Sequence, residues 1–407
     1  PLVTSHFLCC LFLITTFLLP YGLLAAERGT TSDAVGGLYD WVNRAYGHKW
    51  ASRVAWYYWI NYPLWMASLA VLFPTVINSI TGTEMPLYIA LPIELIFVWL
   101  IVFLSHFKAT DSKWILNGSA FIKIFLALLL GILGIYGAVT KGMATEYTFA
   151  SLFPSLDFRS LAFISVILFN FMGFEVINSF YNDMENPKKQ LPMAIIIGGL
   201  VIAAIYLFSA FGISAAIPAD QISSNGLIES IQMLTGSPTG KLVILAGALF
   251  LLSLVGNMLS WAFGVNYVAN YAAKDNSLPK IFAKDSAKTG MPTGSAMMNG
   301  VVATLLLVIV PRIPSPDLFW SFFALNIVTL LMRYVPLFPA FLKPRKIDPD
   351  TPRPFKVPGG PEIIRLFTFM PEVLLIISIV FCFFPLFGSY EELLTKIPLP
   401  LRAIMTI

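Results

Sequence analysis

The chain has 407 residues, of which 57% are apolar and only 12% are charged, and its formal net charge is +4. A soluble globular domain usually carries about a quarter of its residues as charges, so this chain cannot cover a water-exposed surface of its size. The basic residues are spread over several loops without a dense tract, which gives no indication of a nucleic-acid partner. The three cysteines and three histidines lack metal-ligand spacing, and we therefore expect no metal and no other cofactor.

Long apolar runs separated by short charged clusters make up most of the chain. A helix needs about 20 apolar residues to cross the hydrocarbon core of a membrane, and we therefore predict an all-α polytopic bundle of about ten spans. The spans are predicted at about residues 3–25, 54–78, 87–105, 119–140, 160–181, 191–216, 242–270, 295–311, 316–342 and 361–386. Helical spacing within segment 217–241 predicts a short interfacial helix.

The lysine and arginine residues of the loops predict the orientation of the bundle, because cytoplasmic loops carry an excess of basic residues. When the loops are numbered alternately, one set holds 17 basic residues and the other holds 6. The first set, predicted to be cytoplasmic, comprises residues 26–53, 106–118, 182–190, 271–294 and 343–360. Residue 1 is then extracellular, and we expect one further span upstream of it.

Ionisable side chains inside a span are costly and are therefore candidates for function. Glu175 follows Gly173 deep in the fifth predicted span, where a broken helix would expose backbone N–H and C=O groups to a zwitterionic substrate. Lys123 lies inside the fourth span, where a fixed ammonium could take the place of a coupling cation. Structural roles stay open, since Glu175 could join two half-helices and Lys123 could extend to the interface. For Arg333 we favour a structural role, either snorkelling or pairing with a carboxylate.

Two aromatic groups are candidates for a cavity wall. Trp261 lies deep in the seventh span among small and polar residues, which let helices approach closely. Segment 56–63 contains four aromatic rings followed by Asn61, Tyr62 and Pro63, a pattern that predicts a polar, kinked wall. Aromatic faces attract an ammonium group through cation–π interactions, although ordinary packing explains any one ring equally well.

Four segments carry a family resemblance. They read AAERGT at 25–30 with GGLYDWV at 36–42, GFE at 173–175 with ENPKKQLP at 185–192, AAKDNSLPKIFA at 272–283, and RPFKVPGG at 353–360. In this order they resemble loops and helices of the amino acid–polyamine–organocation (APC) superfamily of transporters. Within that superfamily the chain is most similar to the glutamate/GABA antiporter and related bacterial amino acid permeases.

The resemblance implies a leucine-transporter-type fold of twelve helices, ten of which form two inverted repeats of five. Residues 1–407 would then form one transporter domain, with the ten spans as family helices two to eleven. Helices one and twelve would be absent, and helix one supplies half of the substrate site in the family. We therefore expect the chain to be a fragment or a degraded copy.

The resemblance also implies roles for individual residues. Phe169 resembles an aromatic gate, and residues 170–173 resemble an unwound backbone that contacts substrate. Trp261 resembles a substrate-stacking tryptophan, and Tyr62 matches a pocket position loosely. Glu175 resembles the carboxylate after the helix break, and Lys123 resembles a lysine that replaces sodium. The implied substrate-binding residues are Phe169, Asn170, Phe171, Met172, Gly173, Trp261 and Tyr62, and the implied coupling residues are Glu175 and Lys123.

We therefore predict a secondary active transporter in the cell membrane that moves an amino acid by alternating access. Lys123 favours exchange or proton coupling over sodium. Two alternatives stay open: a polyamine or organic-amine permease, and a non-transporting sensor or truncated inactive copy. An enzyme is not expected, because the sequence shows no clustered nucleophile, base or metal set. The expected partners are an amino acid or related amine and the lipid bilayer.

Overall fold

The computed structural model describes residues 9–31, 37–145, 158–173, 175–177, 181, 184–218, 226–309 and 318–382. These residues form helices joined by turns and loops. In chain order the helices are α1 Cys9–Thr31, α2 Leu38–Tyr46, α3 His48–Thr81, α4 Leu87–Leu104, α5 Lys113–Lys141, α6 Phe158–Asn170, α7 Pro187–Ala216, α8 Gly226–Thr235, α9 Lys241–Lys274, α10 Thr293–Ile309, α11 Leu318–Tyr334, α12 Leu337–Ile347 and α13 Pro361–Phe381.

Within the described residues, eight helical stretches are long and apolar enough to cross a membrane. They correspond to eight of the ten predicted spans. The fifth and eighth predicted spans correspond to two shorter apolar stretches, Ile164–Ile177 and Thr293–Ile309. The predicted fold class, a polytopic all-α membrane bundle, is confirmed. The short helix predicted within segment 217–241 is also present, as α8, while its place at the membrane interface stays a prediction.

The fifth predicted span, 160–181, is broken where the sequence predicts it. Helix α6 ends at Asn170, and a turn follows it. Gly173 has a φ of 96°, a backbone conformation that glycine adopts without steric cost. Residues 175–177 then form a short 3₁₀ turn. The break therefore places Glu175 beside non-helical backbone.

Two predicted boundaries are wrong. The loop predicted at 26–53 is largely helical, because α1 continues to Thr31, α2 follows, and α3 begins at His48. Gly47, with a φ of 81°, redirects the chain between α2 and α3. Within the ninth predicted span, 316–342, a turn at Pro336 separates α11 from α12, because the missing N–H and fixed ring of proline interrupt a helix. Leu325–Ile347 is still one stretch long and apolar enough to cross a membrane, so its boundaries are shifted towards the C-terminus.

Loops that were predicted to lie on the same side of the membrane contact one another. At the predicted cytoplasmic end, Arg345 donates a 2.9 Å hydrogen bond from Nε to Glu27 at the end of α1. The hydroxyl of Tyr39 in α2 donates to Asp275 after α9. Burial, together with this hydrogen bond, raises the pKa of Tyr39 above its usual value, so that the hydroxyl keeps the proton it donates.

The opposite end of the bundle is joined in the same way. The side-chain amide of Gln232 in α8 donates to the backbone oxygen of Ser79 in α3, at 2.9 Å. Lys141 at the end of α5 donates to the backbone oxygen of Leu234 at 3.2 Å. The alternation of loops between two ends therefore agrees with the structure, while the direction of insertion remains a prediction.

Helix α3 is central to the described bundle. It has 34 residues and packs against α2, α4, α9, α10 and α11. Its Asn61 is buried and donates to the backbone oxygen of Asn326 in α11, at 3.0 Å. A polar pair of this kind joins two helices inside a membrane, where each amide would otherwise lack partners. This contact holds α3 against the helix that carries Arg333.

Helices α5 and α7 approach closely through glycine. A Cβ atom added at Gly134 would lie 2.6 Å from the Cα atom of Gly212. We expect Gly134→Ala to lower the free energy of unfolding by about 1–3 kcal/mol, the usual cost of overpacking. Gly118→Ala on the same helix is the matched control, since a Cβ there meets nothing within 4 Å. Thermal unfolding of the two purified variants tests this, and equal midpoints would contradict it.

Candidate functional site

Six buried or half-buried side chains meet around the break after α6, and we call them the central cluster. They come from α1, α3, the segment after the break, α9 and α11, and they are Tyr21, Tyr58, Glu175, Trp261, Arg333 and Tyr334. The side chains of Glu175 and Arg333 are 2% and 0% exposed. Opposite charges removed from solvent in this way stabilise the fold only where each has partners.

Among the described residues, four groups with N–H or O–H donors surround the Glu175 carboxylate. Its Oε2 atom accepts from the Tyr21 hydroxyl at 2.7 Å and from the backbone N–H of Gly173 at 3.0 Å. Its Oε1 atom accepts from the Tyr334 hydroxyl at 2.6 Å and lies 3.4 Å from Nη2 of Arg333. Hydrogen bonds to a charged acceptor are stronger than neutral ones. The helix break supplies one of these donors, because the N–H of Gly173 is not used within a helix.

The Arg333 guanidinium is surrounded mainly by aromatic faces. Its central carbon lies 4.2 Å from the ring centroid of Tyr58, 4.9 Å from that of Tyr334 and 5.7 Å from that of Trp261. Nη2 donates to the Tyr334 hydroxyl at 3.0 Å. Nε and Nη1 are buried without a hydrogen-bond partner among the described residues. The sequence left two structural roles open for Arg333, snorkelling and pairing with a carboxylate, and the structure shows the pairing.

Two residues predicted to bind substrate, Gly173 and Trp261, are in direct contact. A Cβ atom added at Gly173 would lie 2.5 Å from the Trp261 indole. Only a residue without a side chain leaves room for the indole at this point. The indole therefore packs directly on the helix break.

The other predicted residues of the break point in different directions. The ring of Phe169 packs edge-on against Trp65 of α3, with centroids 5.1 Å apart. Phe171 and Met172 are buried, whereas Asn170 is exposed. The break therefore offers its backbone and two apolar side chains to the interior.

Tyr62 and Lys123 lie outside the central cluster. The Tyr62 hydroxyl donates to the backbone oxygen of Met258 in α9, at 2.8 Å. The Lys123 ammonium donates to the side-chain oxygen of Asn257, also in α9, at 2.6 Å. Both side chains thus connect to α9 within one turn of Trp261. Their contacts join α3 and α5 to the helix that carries the indole.

Several residues of the site were not singled out from the sequence. Tyr334 directly follows an intramembrane arginine, and this was a signal that could have been used. Tyr58 was predicted only as part of segment 56–63, the candidate cavity wall. Tyr21 had none, because its contact with Glu175 spans 154 positions. Outside the central cluster, Glu94 in α4 is only 5% exposed and was also overlooked. Its position inside the third predicted span was the signal.

The described residues contain no group of three or more histidine, cysteine, aspartate or glutamate side chains that could hold a metal ion. The central cluster instead combines one carboxylate, one guanidinium and aromatic rings. Such a set can bind charged organic groups by pairing and by cation–π contact.

Comparison with known proteins identifies the family. The sequence profile of the family described as amino acid permease matches residues 4–407. The chain belongs to this family. The resemblance to the APC superfamily drawn from four motifs is therefore confirmed. The protein is a multi-pass transporter of the cell membrane and not an enzyme.

Two relatives show which kinds of transporter the chain is similar to. The chain is 54% identical over 404 residues to the probable agmatine/putrescine antiporter AguD of Lactococcus lactis subsp. lactis (strain IL1403), and the match covers 99% of this chain and 87% of that one. It is 27% identical over 304 residues to the glutamate/gamma-aminobutyrate antiporter of Lactococcus lactis subsp. cremoris (strain MG1363), covering 70% and 59%.

A solved structure shares the fold. The manganese transporter of Eremococcus coleocola, crystallised with an aromatic bis-isothiourea substituted compound, superimposes with a TM-score of 0.55. The match covers 99% of this chain and 89% of that chain, at 14% sequence identity. This likeness supports a helical transporter fold.

Removal of one hydroxyl tests the central cluster. Tyr334→Phe deletes the 2.6 Å bond to Glu175 and the acceptor for Arg333. We expect the free energy of unfolding to fall by about 1–3 kcal/mol, because a buried charged group loses a partner. The control is Tyr88→Phe in α4, because Tyr88 is 77% exposed. Thermal unfolding in detergent measures both, and an unchanged midpoint for Tyr334→Phe would contradict the assigned hydrogen bonds.

Proposed function

We propose that the protein exchanges one organic amine for another, such as agmatine for putrescine, across the cell membrane by alternating access. The relative at 54% identity, a probable agmatine/putrescine antiporter, supports this substrate class. The observation that carries the proposal is the buried Glu175 carboxylate at the edge of a set of aromatic faces. Carboxylates and ring faces together attract a protonated amine or guanidinium.

An amine substrate suits the charges of the central cluster better than the amino acid that we expected from the sequence. An amino acid carries a carboxylate, which needs a cationic or N–H partner when it is buried. The guanidinium of the cluster is already paired with Glu175. A diamine needs no cationic partner, and its ammonium groups have the sign that the Glu175 carboxylate attracts. The alternative of a polyamine or organic-amine permease is therefore the reading we adopt.

The helix break adds a second attraction for a cation. Helix α6 ends at Asn170, and the C-terminal end of a helix carries partial negative charge. A broken helix in a transporter uses such an end to hold a cationic group. We therefore assign the backbone around Phe171, Met172 and Gly173 to substrate contact. Phe169 closes one side of the site and Trp261 lines it.

Residues outside the cluster receive roles in the conformational change. Tyr62 and Lys123 tie α3 and α5 to α9 through Met258 and Asn257. Movement of α9 against these helices would move Trp261 relative to the break. We propose that the Lys123 ammonium takes the place of a coupling cation, and that Glu175 couples substrate binding to the movement.

Counterflow tests the proposed function. Proteoliposomes containing the protein and loaded with unlabelled putrescine should accumulate labelled agmatine, because each inward step is driven by outward movement of the internal amine. External putrescine should compete, and external glutamate should not. Protein-free liposomes give the background. Absence of accumulation above that background, or competition by glutamate alone, would refute amine exchange.

The carboxylate has its own test. Glu175→Gln should reduce the initial rate of counterflow on the order of tenfold to a hundredfold, since a hydrogen bond to a charged group is lost. Glu362→Gln is the matched control, because that side chain is 81% exposed and pairs with Arg365. Thermal unfolding of both variants separates misfolding from loss of transport. Full counterflow by a folded Glu175→Gln variant would remove Glu175 from the site.

Sodium dependence tests the role given to Lys123. The wild-type protein should show the same counterflow when potassium replaces sodium on both sides, because the lysine ammonium supplies the positive charge. Lys123→Gln should slow counterflow, whereas Lys113→Gln at the start of the same helix should not. A strict requirement for sodium in the wild-type protein would contradict this role.

A further inference from the structure

The contacts of Arg333 differ from those of an arginine in a structural ion pair. Such an arginine normally presents two N–H groups to one carboxylate. Arg345 in the same protein does so, with Nε at 2.9 Å from Glu27 and Nη2 bonded to the other oxygen. Arg333 approaches Glu175 through one nitrogen at 3.4 Å, and its Nε and Nη1 have no hydrogen-bond partner among the described residues.

The aromatic surroundings of Arg333 are those of a bound cation. Its guanidinium lies over the rings of Tyr58 and Trp261, at 4.2 Å and 5.7 Å from their centroids. Both distances are within the range of about 6 Å over which ring faces attract a cation. The side chain is fully buried. The protein therefore possesses a complete position for a planar cation, and one of its own side chains fills it.

We propose that Arg333 is a tethered guanidinium that occupies the cation position of the substrate site. The cationic end of the substrate displaces Arg333 and takes its place against Glu175 and the rings of Tyr58 and Trp261. The identity of the substrate rests on the proposed amine exchange. The occupied position itself rests on the geometry of the described residues. Arg333 is thus an internal competitor for the transported cation.

Charge balance requires displacement. Glu175 carries one negative charge, and a second cation beside Arg333 would meet a like charge in a low-dielectric interior. The position of Arg333 allows movement, because it lies in the last turn of α11, just before the turn that begins at Val335. Carbonyl groups in the last turn of a helix lack intrahelical donors and offer acceptors to a released guanidinium.

An internal competitor lowers the apparent affinity for substrate. When only a fraction of the molecules has a vacant site, the apparent dissociation constant rises by the inverse of that fraction. Removal of the Arg333 guanidinium should therefore strengthen binding of a small cation. A structural arginine, or one that binds a substrate carboxylate, would give no such gain.

Small cations that are not transport substrates test the proposal. Purified wild-type protein, Arg333→Gln and Arg333→Lys are titrated with methylguanidinium and with methylammonium, and binding is followed by thermal shift and by calorimetry. We expect Arg333→Gln to bind methylguanidinium about tenfold more tightly than the wild-type protein does, and to prefer it over methylammonium, because a planar cation stacks better on rings. Arg333→Lys, which keeps a charge for Glu175, should give a smaller gain in the same direction.

The matched control is Arg53→Gln. Arg53 is exposed and also stacks on an aromatic ring, that of Trp50, at 4.9 Å. Its removal should leave methylguanidinium binding at the wild-type level. Lack of any gain in Arg333→Gln overturns the proposal, and if that variant does not fold, lack of a gain in Arg333→Lys overturns it.

The two proposals fail separately. Wild-type counterflow of agmatine together with no gain in methylguanidinium affinity would refute the internal competitor and keep amine exchange. A gain in methylguanidinium affinity in a protein that exchanges no amine would refute the proposed function and keep the occupied cation position.

Discussion

The ion pair between Glu175 and Arg333 is the constraint around which the described structure is organised. Neither side chain is in contact with solvent, and charges in such a place require partners. Those partners come from four separate segments: Tyr21 from α1, Tyr58 from α3, Trp261 from α9 and Tyr334 from α11. The pair therefore fixes the mutual position of helices that lie far apart in the sequence.

The helix break follows from the same constraint. The carboxylate accepts from the backbone N–H of Gly173, which a continuous helix would use internally. Gly173 releases its N–H by adopting a positive φ, and its missing side chain admits the Trp261 indole. Gly173 thus both donates a hydrogen bond to the carboxylate and leaves room for the indole. This is why the polar centre and the aromatic wall meet at a single point of the chain.

Much of the fold could be predicted from the sequence because membrane spans are encoded locally. The apolar runs, the break near Gly173 and the loop motifs are properties of short segments, and they gave the bundle and its family. The turn at Pro336 and the helical content of segment 26–53 were mispredicted, since a long apolar or mixed segment does not reveal where tertiary contacts favour a turn. Of the residues of the site, Glu175 and Arg333 could be identified from the sequence because charged side chains are rare inside apolar spans.

The partners of those charges were harder to predict. Tyrosine is common in apolar segments, so its sequence position does not reveal whether its hydroxyl meets a carboxylate. The pairing of Tyr21 with Glu175 joins positions 154 residues apart and depends on the complete packing of α1 against the break. Individual residue types identified the candidates, whereas the selection among them required the three-dimensional arrangement. The proposed substrate class in turn draws support from a relative at 54% identity as well as from the charges of the site.

The carboxylate of Glu27 has a consequence for how the predicted cytoplasmic end behaves. It accepts from Arg345 in the last turn of α12 and from the backbone N–H of Val357 at 2.8 Å. It also lies 3.6 Å from Nε of Arg353. Two stretches of chain, the end of α12 and residues 353–357, thus converge on one side chain of α1. Because both stretches share this one acceptor, movement of α1 away from them would break the contacts of both at once.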